Sequence, residues 1–219
     1  SCAPSASTSE APLSTGSQQV RVVEIDPARL DRWISGFAER HGVPERSPGA
    51  DPHAVPLVLS APDGAVAEVL AWADGQVSLP SRLGLVLVRR GGYAVGLASG
   101  DTLTDHYCGT RYVQSRTAAG GWSQQRFARR RGNQADALVA RVVEQSVDRL
   151  LEPRGPRVDG LVVGGDKALV RQVLDDPLLA GLGELPRREF YDVPDPRLKV
   201  LQETLRRGRT TRIRLTEPG

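Results

Sequence analysis

The sequence predicts a mixed α/β (α+β) layer fold in which an antiparallel β-meander leads into a long basic helix and then into further strand and helix units. Three observations carry this expectation. Between residues 83 and 115 short β-rich runs alternate with glycine-containing turns. From Ser123 onward apolar residues recur at helical spacing over about seven turns. After Pro156, strand-type and helix-type segments follow one another singly. With 219 residues, 39% of them hydrophobic, the chain can bury a real core in one sizeable domain with an extension.

Taken in order, residues 1–19 are rich in Ser, Ala, Thr and Pro and are expected to form a disordered tail, because they bury too little surface to offset the entropy of ordering. Residues 20–80 form an N-terminal extension and residues 81–219 the main domain. Val22, Val23 and Ile25 make a short strand. Asp26 and Pro27 then open a helix as N-cap and first-turn proline, with Leu30, Trp33, Ile34 and Phe37 along one face and Gly42 at its end. A loop is expected over 47–56 and a strand over 55–59, turning at Pro62-Asp63-Gly64. The meander comprises strands over 83–89, 93–98, 102–107 and 110–115, with turns at Gly91-Gly92 and Ser99-Gly100. In the long helix Phe127, Ala135, Leu138, Val139, Val142, Val143, Val147, Leu150 and Leu151 follow helical spacing, and Ser123 is its N-cap. A buried-type strand over 158–163 turns at Gly164-Gly165 into a helix over 166–174. A strand over 190–193, a helix over 196–206 and a basic strand over 210–215 complete the chain, without internal repeats.

Charge is unevenly spread. Residues 1–105 hold 8 Arg against 12 acidic residues, whereas 106–219 hold 21 Lys and Arg against 14, so a polyanionic partner would bind the C-terminal half. Of the 29 basic residues all but Lys167 and Lys199 are Arg, a bias that a GC-rich genome explains as well as phosphate recognition does. Cys2 and Cys108 lie far apart, one of them in the tail, which argues against a structural disulfide and for a reducing, cytoplasmic location. His41, His53 and His106 are isolated, so neither metal nor other cofactor is expected. No apolar run reaches the length of a membrane span.

The motif that carries chemistry is Gly120-Gly121-Trp122-Ser123-Gln124-Gln125, which opens directly into Arg126, Arg129, Arg130 and Arg131. Together with Arg111 and Arg116, these are six arginines in a stretch with no acidic residue between Asp105 and Asp136. A diglycine is an ordinary strand-to-helix turn, but such a turn needs neither a tryptophan, nor paired glutamines, nor four arginines within ten residues. A helix start normally favours Asp or Glu because its dipole is positive there. Crowding arginines at that end is unfavourable locally, and an external anion would supply the missing charge.

These residues resemble a known family. The pattern of Gly120-Gly121, then Ser123, then Arg126-Phe127-Ala128-Arg129 is similar to the catalytic loop and helix in the middle domain of eukaryotic and archaeal class-1 peptide-chain release factors. In those factors a Gly-Gly-Gln glutamine promotes hydrolysis of peptidyl-tRNA, and Trp122 stands here at that position. Gly121-Trp122-Ser123-Gln124 instead fits the Gly-Xaa-Xaa-Gln (GxxQ) motif of the Vms-like release factors (VLRF), which free nascent chains from tRNA on stalled large ribosomal subunits. The resemblance is to an actinobacterial form, covers residues 83–215 and is strongest over 111–135. It implies a release-factor middle-domain-like fold and a peptidyl-tRNA hydrolase of ribosome-associated quality control. Its partners would be large-subunit rRNA and peptidyl-tRNA, with no DNA and no membrane.

On this resemblance Gln124 is the catalytic residue, presenting a neutral amide that positions water at an already activated ester, with Gln125 the alternative carrier. Gly120, Gly121, Trp122 and Ser123 form the loop. Arg111, Arg116, Arg126, Arg129, Arg130 and Arg131 grip RNA phosphates, while Trp122 either stacks on a base or packs as a hinge.

Three other segments attract less chemistry. The strand and Gly164-Gly165-Asp166-Lys167 turn lacks the glycine spacing of a phosphate-binding loop and reads as a core turn. His106 and Cys108 give a weak nucleophile-and-base pattern, since neighbouring strand residues point to opposite faces. Arg206, Arg207, Arg209, Arg212 and Arg214 form a second acid-free run, either a further rRNA contact or a charged edge strand that discourages aggregation. Two rival functions stand beside the hydrolase. One is a non-catalytic ribosome- or RNA-binding module that lost its chemistry when Trp replaced the usual Gln. The other is a lipid-anchored envelope protein, which rests on Cys2 alone.

Overall fold

A computed structural model describes residues 19–74, 76–110, 123–152 and 155–218, with backbone placement alone over 123–133 and 155–156. β1 (Gln19–Ile25) leads through a 3-10 turn at Pro27–Arg29 into α1 (Leu30–His41). Asp26 caps as expected, its carboxylate accepting from the Ala28 N–H, and Gly42 ends α1. Ile34 and Phe37 are buried on the predicted face. The tail expected over 1–19 lies outside the described residues, apart from Gln19, which opens β1.

β2 (Glu45–Ser47), β3 (Leu57–Ser60) and β4 (Val66–Val69) follow. The strand expected from residue 55 begins at Leu57, because Pro56 has no N–H to give to a ladder. The β3–β4 turn falls where expected, with Gly64 at φ 91°, a left-handed conformation that glycine adopts without strain. β2 and β4 are short and rich in Glu, Arg and Ala, residues that signal strand weakly, so the sequence did not reveal them.

β5 (Arg82–Arg89), β6 (Gly92–Ser99) and β7 (Thr102–Thr110) form the meander. Two strands were expected over 102–107 and 110–115, but a single strand β7 runs from the Thr102↔Ser99 pair to the Thr110↔Gly92 pair, with a bulge at Thr104 where the register shifts. Gly109 keeps the ladder continuous by leaving room for the Tyr93 ring that lies against it. Residues 111–115 lie outside the described residues.

The chain continues through α2 (Ser123–Leu150), the two-residue strands β8 (Leu151–Glu152) and β9 (Gly155–Pro156), β10 (Gly160–Gly165) and α3 (Lys167–Leu174). A 3-10 turn at Pro177–Leu179 and the single turn α4 (Ala180–Gly183) precede β11 (Arg187–Phe190), α5 (Leu198–Arg209) and β12 (Thr211–Glu217). Leu151, expected on the helix, therefore starts β8. β11 lies three residues earlier than expected, because its parallel register with β10, from Leu161↔Arg187 to Gly164↔Phe190, is set by the buried Arg188 and leaves Val193 as a buried plug beyond the strand.

Two five-stranded sheets result. The first, in the order β1-β12-β4-β3-β2, is antiparallel and packs α1 on one face through Phe37, Leu59, Ala67, Ile213 and Leu215. The second, in the order β11-β10-β5-β6-β7, joins the meander to two parallel pairings of β10. Its side chains alternate: Val86, Val88, Val95, Leu161 and Val163 pack under α2 and α3, while Leu83, Leu85, Leu87 and Val162 pack under α5 and Trp72. With both faces covered, β5 reads as an unbroken apolar run. β12 lies between β1 and β4, which overturns its possible role as a charged edge strand; Arg214 there pairs with Glu68 of β4 at 2.9 Å.

The two sheets meet at Arg188. Its guanidinium donates to the carbonyls of Trp72 at 2.6 Å and Thr210 at 2.7 Å, and lies over the Trp72 ring. Trp72 Nε1 donates to Gly208 O at 2.8 Å. Burial and the nearby Arg212 push the Arg188 guanidinium down to about 10, so it remains charged at neutral pH. A second stitch joins Asp159 to Ser81 Oγ at 2.7 Å and to the Arg82 N–H at 3.1 Å. The Ser81 hydroxyl, followed by Arg82, holds the Asp159 carboxyl below its usual range.

Arg188→Ala is expected to destabilise by about 2–4 kcal/mol, since it strips buried carbonyls of their donor. Trp72→Phe costs less, about 1–2 kcal/mol, because Gly208 O retains Arg188; urea unfolding of both variants checks the order. Because Asp159 has a lower pKa folded than unfolded, its stabilisation is present above the ordinary value of 3.8 and is lost as pH falls through the folded value. The stability gap between wild type and Asp159→Asn is therefore expected to narrow below about pH 4, as a series of melting curves would show.

Candidate functional site

α2 positions the candidate site. It spans 28 residues, hence about 42 Å, whereas an eight-residue strand spans about 27 Å. Its described packing runs from Ala135 to Leu150, and Leu150 closes against the start of β5, where a Cβ on Gly84 would come within 3.2 Å of it. At the other end of the strands, Arg141 and Glu144 bear on the Tyr93 hydroxyl. The first turns of α2 therefore extend beyond the sheet, at the end where β7 stops with Thr110 opposite Gly92.

Of the predicted site residues, Arg111, Arg116, Gly120, Gly121 and Trp122 lie outside the described residues. Ser123, expected as the N-cap, is already the first residue of α2, Gln124, Gln125 and Arg126 complete its first turn, and Arg129, Arg130 and Arg131 fall in the next two. That first turn holds no acidic residue. The C-terminal end of α2 is compensated in the usual sense: Arg149 sits in the last turn, 3.6 Å from Asp105 and 5.3 Å above the Tyr107 ring.

The segments given little weight in the sequence stay structural. At the Gly164-Gly165 turn the Asp166 carboxylate accepts from the Ala168 N–H at 3.0 Å and the Leu169 N–H at 3.3 Å, so a negative side chain already fills the helix start. Gly165 has φ 105°, and a Cβ there would strike the Val88 carbonyl. The Cys108 thiol is pushed up by partial burial, away from the thiolate a nucleophile needs. In the second basic run Arg206 pairs with Glu203 and Arg207 with Asp192.

A cavity of about 890 Å³ opens between the sheets, lined by Arg187, Arg188 and Arg212 but also by Glu24, Asp74, Glu184 and Glu189, so it offers no excess of positive charge. Among the described residues no three His, Cys, Asp or Glu side chains gather in a way that could hold a metal. No described helix is long and apolar enough to cross a membrane. Sequence reasoning missed the cations that the fold gathers beside Thr110, at Arg89, Arg90, Lys167, Arg197 and Lys199, because they come one or two at a time from segments far apart in the chain.

A sheet closed on both faces, with a glutamine-bearing helix start led out past one end, defines a protein that presents a tip rather than a cleft. The chain belongs to the VLRF1 release factors of Actinobacteria and Chloroflexi: the model of that family matches residues 81–214, more than half of the chain. Membership assigns it a release-type role in translation. Two solved structures are similar to it. One, described as a Vms1 mitochondrial localization core, has 11% identity and a TM-score of 0.46 over 84% of this chain and 82% of that one. The other, an archaeal translation termination factor, aRF1, has 13% identity and a TM-score of 0.36 over 84% of this chain and 63% of that one. No curated protein matches the chain.

With no acid to offset the dipole at the start of α2, Arg126→Gln is expected to stabilise the free protein by about 0.3–1 kcal/mol at low ionic strength. Thermal unfolding with and without high salt tests this; a loss of stability would mean that Arg126 already has a partner within the chain.

Proposed function

We propose that this protein is a peptidyl-tRNA hydrolase that releases nascent chains from tRNA on stalled large ribosomal subunits, within ribosome-associated quality control in the cytoplasm. One observation carries the reading: the family match spans a Gly-Xaa-Xaa-Gln sequence whose glutamine falls in the first turn of α2, directly ahead of an acid-free basic stretch. Gln124 is the catalytic residue, and its amide orients a water at the ester carbonyl and stabilises the developing oxyanion. A carboxylate in its place would be repelled by the surrounding phosphates. Gly120 and Gly121 give the loop freedom to enter the site, and Trp122 and Ser123 complete it. Arg111, Arg116, Arg126, Arg129, Arg130 and Arg131 hold the phosphates of rRNA and of the tRNA acceptor end. Residues 81–219 form the catalytic domain and residues 20–80 an extension packed on it.

Release of a labelled nascent chain from isolated large subunits tests this directly. Gln124→Ala is expected to slow release by about 10²-fold or more, in line with the loss of an oxyanion donor, while Gln125→Ala retains most of the rate. The reverse pattern would move the role to Gln125. Binding to the subunit without any release by the wild type would leave a ribosome-binding module.

A further inference from the structure

Three segments bring cations to the end of the second sheet from which residues 111–122 depart. Arg89 pairs with Gly92, and Gly92 in turn with Thr110, so the β5–β6 turn that holds Arg89 and Arg90 is two strands from the exit point. Gly165 pairs with Val88, which sets Lys167, the first residue of α3, at the same end. The start of α5 joins them, because Pro196 O lies 3.8 Å from where a Gly92 Cβ would be, and it brings Arg197 and Lys199.

Little within the protein neutralises this group. Arg89 reaches Asp195 only at 3.8 Å and Arg90 reaches Asp166 only at 3.7 Å, with 42% and 57% of their side chains exposed. Asp166 is already engaged in capping α3. Lys167 lies 5.5 Å over the Tyr191 ring. The side chains of Arg197 and Lys199 are exposed and have no hydrogen bond or ion pair among the described residues. Arg197 stands at the N-cap of α5 without a side-chain cap, and no acid occupies the first turn. α5 therefore repeats the adverse electrostatics of α2 at the same end of the fold.

We propose that Arg89, Arg90, Lys167, Arg197 and Lys199 form a phosphate-binding rim that holds a stretch of RNA backbone beside the loop, as a contact separate from the arginines of α2. The proposal rests on the RNA-directed reading of the site and extends it to residues outside the motif. Five cations from three segments, set against Asp166, Asp195 and the Glu189 carboxylate near Lys167, suit a polyanion with regularly spaced charges better than a single small anion. Because the rim sits on rigid element ends, it fixes the direction from which RNA approaches.

The test is fluorescence anisotropy of the full chain with a labelled RNA hairpin bearing a single-stranded 3′ tail, titrated across a potassium chloride series. Arg197→Gln/Lys199→Gln is expected to weaken binding and to flatten the plot of log affinity against log salt by about 1–2 units. Arg197→Lys/Lys199→Arg, which keeps the charge, restores the slope, and Arg32→Gln on α1 leaves it unchanged. A slope unaltered in the neutral rim variant, while Arg129→Gln/Arg130→Gln flattens it, would remove the rim and leave the RNA-directed reading intact. No salt-dependent RNA binding by the wild type would overturn both. Matching melting temperatures across the variants establish that the fold is not what changed.

Discussion

The constraint on which the structure depends is the return of β12 to the first sheet. It lies between β1 and β4, pairing with β1 over seven residues and with β4 over four. Without it, β1 would have no neighbour, and α1 would face a sheet lacking Ile213 and Leu215. Because α5 leads directly into β12, the same return pins α5 across the second sheet, with Gly208 packed against Val162 and hydrogen bonded to Trp72. Arg188 completes the tie by binding carbonyls on both sides of the junction. An uncompensated buried guanidinium would be expensive, but here backbone acceptors and the Trp72 ring replace its lost water.

From this anchoring follows the placement of the functional end. The central strands of the second sheet are covered by α2 and α3 on one face and α5 on the other, so its ends and the exposed edge strand β7 are what remain open. One end is used for joining: Leu150 closes on Gly84, and Asp159 ties β10 to β5. The other end gathers Thr110, Arg89, the α3 start and the α5 start. A 28-residue helix packed from Ala135 to Leu150 carries its N-terminal turns beyond that end. Firm backing behind the start of α2 suits the proposed hydrolysis, in which the glutamine enters a site built by another molecule.

Much of this was legible in the sequence, for identifiable reasons. The α1 face, the Asp26 cap, the meander and the α2 repeat all rest on local signals: periodicity, capping chemistry and glycine turns. Elements set by distant partners were harder to see. β11 carries Arg-Arg-Glu-Phe, which looks like a loop until β10 supplies a register and Arg188 finds its carbonyls 116 and 22 residues away. β12 looked suited to an edge because its arginines stand in an acid-free run, and only the cross-strand Glu68 reveals why a central position tolerates them. The Gly-Xaa-Xaa-Gln stretch was legible as chemistry because unusual residues crowd one place. The rim cations were not, since they come one or two at a time from three distant segments and only folding assembles them.

The position of β12 also orders events during synthesis. β1 is made near the start of the chain, yet it pairs only with residues Thr211–Glu217. Closing that span is a long-range step, and translation is slow compared with the pairing of a local hairpin. The meander can form as soon as β7 emerges, but the first sheet must wait, with β1 unpartnered, until β12 clears the exit tunnel. A ribosome that stalls before Thr211–Glu217 emerge therefore holds a chain in which β1 lacks this partner, so the first sheet closes only once β12 is free to pair.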